Sequence, residues 1–363
     1  RSEFLTAYCG GTYTDHGKCQ AIFEFTSLMG ELVDMDVVAL ATYDGSQAAS
    51  TSLRMTNRIT NRNKLLVPKT MNPEILAHIR NYCDFMTITQ VDYDPKTGQM
   101  DLEDLKKKIS DDVAAVFIEN PSYLGFIEEN GREIGEIAHE HGALFVVYAD
   151  PSSLGILEAP ANYGADITCG DIQCLGMHMG YGSGLSGYIA SKNEPQFIMN
   201  FPNHFYSLYE NEKGEFGFSR SLNQRTSYGS REKAVEYLGT NTGLWAITAA
   251  VYLSLMGPQG MYDLGKNIIS KAKYAVEVLS SIKGVKVLFE DSTNFKEFIL
   301  NFDETNKSVE EINKELLRKG IFGGKDLSRE FKELGNSALY CVTELTKKED
   351  IDRLARELSS ILS

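Results

Sequence analysis

The sequence predicts an α/β fold with a large, mostly parallel, doubly wound domain and a smaller C-terminal α+β domain. Three observations carry this expectation. Short apolar runs alternate with helical patterns along most of the chain. The 363 residues, 42% of them apolar, can bury a sizeable core. The apolar run 143–149 ends on an acid, Asp150. Alternating strands and helices imply crossover connections, hence parallel strands with helices on both faces. A strand containing Phe145, Val146 and Val147 reads as buried on both sides. Its C-terminal edge is where open α/β sheets place ligands, which makes Asp150 the first candidate site residue.

Taken in order, residues 21–33 have helical spacing, with Ile22, Phe25, Leu28 and Met29 sharing a face, and an apolar segment follows at 35–43. Residues 64–68, 85–90 and 114–119 read as strands, and 73–82, 101–109 and 134–141 as helices. After 188–191 comes a polar, aromatic-rich insert over about 193–237, in which 211–217 reads as a hairpin or loop. A helix over 244–256 stops at Gly257-Pro258. The tail alternates again: helix near 261–282, strands 286–289 and 297–301, helix 309–319, strand 337–343 and helix 348–362. The expected division is 1–270 and 275–363. Phe201, Phe205, Tyr206 and Tyr209 in the insert are candidates for an apolar dimer face, the alternative being that they pack within their own subunit.

Charge and composition narrow the function classes. A net charge of -14 and a pI near 5.0 exclude nucleic acid and anionic membrane as expected partners, because phosphate binding needs basic clusters. No apolar run approaches the ~18 residues of a membrane span, and Arg1-Ser2-Glu3-Phe4-Leu5 lacks a secretory core, so a cytoplasmic location is expected. Cys9, Cys19, Cys83, Cys169, Cys174 and Cys341 are scattered without a close pair, which reads as reduced thiols rather than a zinc site. His139 and His141, two apart on a helix, point to different faces, so no metal site is expected.

A second candidate element is the turn Thr42-Tyr43-Asp44-Gly45-Ser46-Gln47, which ends a strand and opens a helix. Free N–H groups and the helix dipole make Gly45, Ser46 and Gln47 a candidate anion site, although Asp-Gly-Ser is also a common capping turn. Asp150 has a plain reading too, as the cap of Pro151-Ser152-Ser153. His178 reads as a loop histidine and Cys174 as a small apolar residue. Arg225 and Arg231 could bind a carboxylate or a partner, or simply face water.

This layout resembles pyridoxal-phosphate enzymes of the aspartate-aminotransferase type (fold type I). In them an acid at such a strand end pairs with the ring nitrogen, and a lysine follows within roughly two or three dozen residues. Here residues 109–191 contain no lysine. Gln173 stands in the expected window and cannot form an imine.

More specifically, the chain resembles the glycine decarboxylase (P-protein) family of the glycine cleavage system, and within it the separately encoded alpha subunit. The matching segments include Ser2-Glu3-Phe4-Leu5-Thr6-Ala7-Tyr8, Tyr43-Asp44-Gly45, Ile118-Glu119-Asn120-Pro121 and Asp150-Pro151-Ser152-Ser153-Leu154-Gly155. Gly170-Asp171, Leu175-Gly176 and Cys341-Val342-Thr343-Glu344 extend the match over essentially the whole chain. The resemblance implies that a lysine-bearing beta subunit of the same fold binds pyridoxal phosphate and decarboxylates glycine, passing the aminomethyl group to lipoylated H-protein. It also implies that this chain supports that enzyme, with Gln173 at the lysine position, no catalytic residue and no covalently bound cofactor. Gly45, Ser46, Gln47, Asn120, Asp150 and Gln173 become the candidate or relict cofactor-contacting set. Departures lie at Cys9-Gly10-Gly11-Thr12-Tyr13-Thr14, Tyr181-Gly182-Ser183-Gly184-Leu185 and after Arg231-Glu232-Lys233-Ala234. They leave open a second reading, a self-associating paralogue that binds another small anion in the relict pocket.

Overall fold

A computed structural model describes residues 17–221 and 242–363. Seven strands form its larger sheet: β1 (Val37–Val38), β2 (Lys64–Pro68), β3 (Thr87–Val91), β4 (Val113–Asn120), β5 (Leu144–Ala149), β6 (Ile167–Asp171) and β7 (Gly187–Ser191). Their spatial order is β1-β7-β6-β5-β4-β2-β3. Neighbours from β3 to β6 pair in parallel, whereas β7 is antiparallel to both β6 and β1. The sheet is therefore mixed at one edge. The apolar segment at 35–43 contributes only a two-residue strand, because it follows β7 irregularly and touches it again at Thr42 opposite Gly187.

Helices α1 (Gly17–Val33), α2 (Gly45–Thr60), α3 (Pro73–Tyr82), α4 (Leu102–Lys108) and α5 (Gly131–Glu140) cover the sheet. Every residue of β4 is buried. Successive side chains go to opposite cores, as a strand requires: Val116 and Ile118 join one, Ala115 and Phe117 the other. The first core takes Phe25 and Met29 from α1 and Ile134 and Ile137 from α5, and the second takes Leu53 from α2 and Ile79 from α3.

The insert begins with the short helix α6 (Pro195–Ile198) and continues as a hairpin of β8 (Phe205–Glu210) and β9 (Phe216–Ser221). Phe201 and Phe205 are buried against each other, with ring centroids 5.0 Å apart, and Tyr206 is buried beside Cys19 and Ile22. These three rings thus pack within their own chain, the alternative the sequence also offered. Tyr209 is exposed. The rest of the insert, with Arg225 and Arg231, lies outside the described residues, as does the segment Ser2–Tyr8.

A 38-residue helix, α7 (Gly243–Ser280), then spans the molecule. The expected stop at Gly257-Pro258 is a break inside it: Gly257 adopts φ 59°, and the helix restarts at once. Proline suits the first turn of the restarted helix, where its missing N–H has no helical partner to lose. Along α7, Ile268 belongs to a core of the large sheet, and Ala275 and Leu279 belong to the core of the smaller one.

That smaller sheet is antiparallel, with β10 (Lys286–Val287), β11 (Glu297–Asn301), β12 (Lys325–Asp326) and β13 (Ser337–Cys341) in the order β10-β11-β13-β12. Helices α8 (Val309–Arg318) and α9 (Lys348–Leu362) bury Ile312, Leu316 and Leu358 against Phe298 and Leu300. A capping box of Ser308 and Glu311 starts α8.

One contact between the two sheets positions the site. The loop after β4 pairs with the segment before β11, through Phe295 N–H to the Gly125 carbonyl (3.1 Å) and Ile127 N–H to the Thr293 carbonyl (2.9 Å). Gly125 sits at φ 101°, and a Cβ there would overlap the Glu297 carbonyl. We expect Gly125→Ala to lower unfolding free energy by about 1–3 kcal/mol in denaturant titrations, from overpacking and left-handed strain combined. An unchanged midpoint would mean that the two segments are not seated on each other.

Candidate functional site

A cavity of about 290 Å³ opens at the C-terminal ends of β4, β5 and β6, with Glu119, Asp150, Asp171, Gln173, Lys296 and Glu297 in its walls. Strand ends supply the first three, because parallel strands deliver their last residues to one edge. Lys296 and Glu297 come from the smaller sheet.

Asp150 does two things. One oxygen caps the turn at Pro151–Ser153, accepting the Ser152 N–H (2.9 Å) and hydroxyl (2.7 Å). The other is ion-paired with Lys296. Burial alone would raise the Asp150 carboxyl, but the Lys296 ammonium overrides it and holds the group below its usual range. Burial likewise opposes the Lys296 charge, and Asp150, then Glu297, raise it well above the ordinary lysine value. Glu297 lies 3.9 Å from the same ammonium and is still pushed up to about 7 by burial.

Asp171, at the end of β6, closes the N terminus of α2. Its Oδ2 accepts the Gly45 N–H at 2.9 Å, and its Oδ1 accepts those of Gln173 (2.8 Å) and Ser186 (3.5 Å). Burial pushes the carboxyl up to about 6 despite these bonds. Gly45 is required by close approach, since a Cβ would overlap the Tyr148 hydroxyl. Gln47 donates its N–H to Asp44 (2.7 Å), and its side-chain oxygen accepts the Tyr43 N–H (2.9 Å). Of the six candidates, Asp150 and Gln173 line the cavity, and Gly45, Ser46, Gln47 and Asn120 do not. The Asn120 amide is engaged elsewhere, donating to the Glu128 carbonyl (3.3 Å) and accepting its N–H (3.1 Å).

Gln173 donates its side-chain amide to the Met177 carbonyl at 3.1 Å. His178 is exposed. Cys174 donates to Asp150 at 3.5 Å, and burial, then the Asp150 charge, raise its thiol well above the usual value, so it is not an activated nucleophile. His139 bonds to Asp166 and His141 to the Ile137 carbonyl, on separate faces.

Sequence reasoning assigned no role to Asp171, Lys296, Glu119 or Glu297. Asp171 and Glu119 carry the same signal as Asp150, an acid closing an apolar strand. Lys296 has no local signal, because it stands 146 positions from Asp150.

This arrangement does not fit pyridoxal phosphate. A phosphate at the α2 N terminus would have to displace the Asp171 carboxylate, and a ring nitrogen at Asp150 would have to displace Lys296. Of the four carboxyl groups in the cavity walls, Asp150 is compensated by Lys296 and burial holds Glu119 and Glu297 toward the protonated form, so the charge a phosphate would meet is chiefly that of Asp171.

The buried acids set a pH dependence of stability. Glu119, accepting the Asn72 N–H at 3.0 Å, is raised to about 8 by burial, and Glu128 to about 7. With Glu297 and Asp171, these groups bind protons more tightly folded than unfolded. His139, raised by its bond to Asp166, acts in the same direction. Their contribution is present in full below the unfolded values and is lost as pH rises through the folded ones. The melting temperature should therefore fall from about pH 5 to about pH 8, and Glu119→Gln should flatten the slope. A melting temperature that rises over this window would contradict the assignment.

Comparison with known proteins agrees with the resemblance seen in sequence. The profile of the family described as Glycine cleavage system P-protein matches residues 1–358. A Staphylothermus marinus protein named probable glycine dehydrogenase (decarboxylating) subunit 1 is 38% identical over 367 residues, covering 100% of this chain and 78% of the relative. A crystal structure of glycine decarboxylase (P-protein) of the glycine cleavage system, in inhibitor-bound form, superposes with a TM-score of 0.91 at 32% identity, covering 100% of this chain and 80% of that one. A NifS-like protein shares the fold alone, with a TM-score of 0.72 at 12% identity over 97% of this chain and 90% of that one. The fold is that of type I pyridoxal-phosphate enzymes, as expected. On these grounds the chain belongs to the glycine cleavage system P-protein family, in the branch whose members are named subunit 1 of glycine dehydrogenase (decarboxylating).

Proposed function

We propose that this chain is the noncatalytic alpha subunit of a glycine decarboxylase whose lysine-bearing beta subunit, of the same fold, binds pyridoxal phosphate. In this reading the assembled enzyme decarboxylates glycine and hands the aminomethyl group to the lipoyl arm of H-protein. Loss of CO₂ from glycine leaves a carbanion that needs an electron sink no side chain offers. The observation that supports the division of labour is in the cavity wall: the amine that reaches it, Lys296, is paired with Asp150, and Gln173, which the family resemblance puts at the lysine position, lies in the same wall.

The organisation into residues 1–270 and 275–363 belongs to the same proposal. The switch along α7 from one core at Ile268 to the other at Ala275 supports it. A cytoplasmic location is also proposed, and no helix among the described residues is long and apolar enough to cross a membrane. The second reading, a self-associating protein holding a different small anion, is disfavoured by the carboxylate already seated at the α2 N terminus.

The test is reconstitution. The chain alone, given pyridoxal phosphate, glycine and lipoylated H-protein, should retain no visible absorption band after dialysis and release no CO₂. Mixed with a lysine-bearing homologue, it should co-elute, hold the band and exchange glycine carboxyl with bicarbonate. A retained band and CO₂ release by the chain alone would refute the proposal.

A further inference from the structure

We propose that Asp171 and Lys296 are the specificity-determining residues that restrict the cofactor to the partner subunit: they occupy, from within this chain, both positions at which a phosphorylated pyridine ring would be anchored. This deepens the noncatalytic reading and concerns the same cavity.

The first anchor is the N terminus of α2. Its opening N–H groups lack helical partners, and the helix dipole favours an anion there. Asp44 caps the Gln47 N–H, and Asp171, from the end of β6, supplies a second carboxylate that takes the Gly45 N–H and is held in place by the Gln173 and Ser186 N–H groups. The seat has a cost: burial holds the carboxyl at about 6, above its ordinary value. A phosphate entering would meet this resident charge, with Glu119 and Glu297 in the cavity walls behind it.

The second anchor is Asp150. In an enzyme of this fold the acid keeps a ring nitrogen protonated, which requires the carboxylate to face the ring uncompensated. Here the Lys296 ammonium is paired with it and is charged for the same reason. The two substitutes come from different sheets, Asp171 from β6 and Lys296 from the residue before β11. Neither replaces the other, so restoring one anchor leaves the ring held at one end only.

The experiment uses the full chain at about pH 8, where Asp171 is ionised, titrated calorimetrically with inorganic phosphate and separately with pyridoxal phosphate. Wild type should show no saturable binding of either. Asp171→Ala should show saturable binding of inorganic phosphate, at least about tenfold tighter than the weakest binding the wild-type titration would detect. Asp171→Ala/Lys296→Met should in addition retain pyridoxal phosphate noncovalently through gel filtration. Asp171→Asn keeps the shape and removes the charge, so it carries the test if the alanine variant fails to fold, with a smaller gain expected. Wild-type phosphate binding equal to that of the variants overturns the proposal. So do variants that melt as wild type does and still bind no phosphate. The readout is binding to this chain alone, so it separates from reconstitution: a gain of phosphate binding beside an inactive mixture would sink the functional reading and leave this inference standing.

Discussion

The ion pair between Lys296 and Asp150 is the contact on which the arrangement of the site depends. Asp150 lies at the end of a central strand, behind a cavity of mostly acidic character, and an uncompensated carboxylate there would be costly. Lys296 reaches it only because the segment before β11 is pinned to the loop after β4, with Gly125 allowing the two backbones to touch. The ion pair and the seam between the sheets therefore stand or fall together. The two side chains keep 23% and 17% of their surface exposed, so removing one partner costs less than the ~3–5 kcal/mol seen for fully buried pairs.

The same economy of charge appears at Asp171. The fold creates an anion site wherever a helix begins at the edge of a parallel sheet. Such a site is filled from within, by water or by a ligand, or its N–H groups go unpartnered. Here a strand-end carboxylate fills it, and the adjacent Gln173 turns its amide to the Met177 carbonyl. The groups of the cavity wall thus satisfy one another.

Much of this was legible in sequence, for local reasons. The alternation of strand and helix pointed to the layered sheet, Gly257-Pro258 marked a real break, and Asp150 at the end of its strand proved to line the cavity. What could not be read depends on long-range pairing. The antiparallel entry of β7 follows from a loop with no periodicity, between Asp171 and Gly187. The insert aromatics Phe201, Phe205 and Tyr206 read as interface or core alike, because composition does not say which surface a ring meets. Asn120 looked available because a strand-end amide gives no hint that Glu128 will bind it on both sides. Lys296 was invisible because the residue it pairs with lies in the other half of the chain.

The most direct measurement is borohydride reduction of the complex formed with a lysine-bearing homologue and pyridoxal phosphate, followed by peptide mapping of the phosphopyridoxyl label. The account predicts the label on the homologue's lysine and none on this chain. Label on Lys296 would contradict it, because that amine would then be free of Asp150 and available to the cofactor.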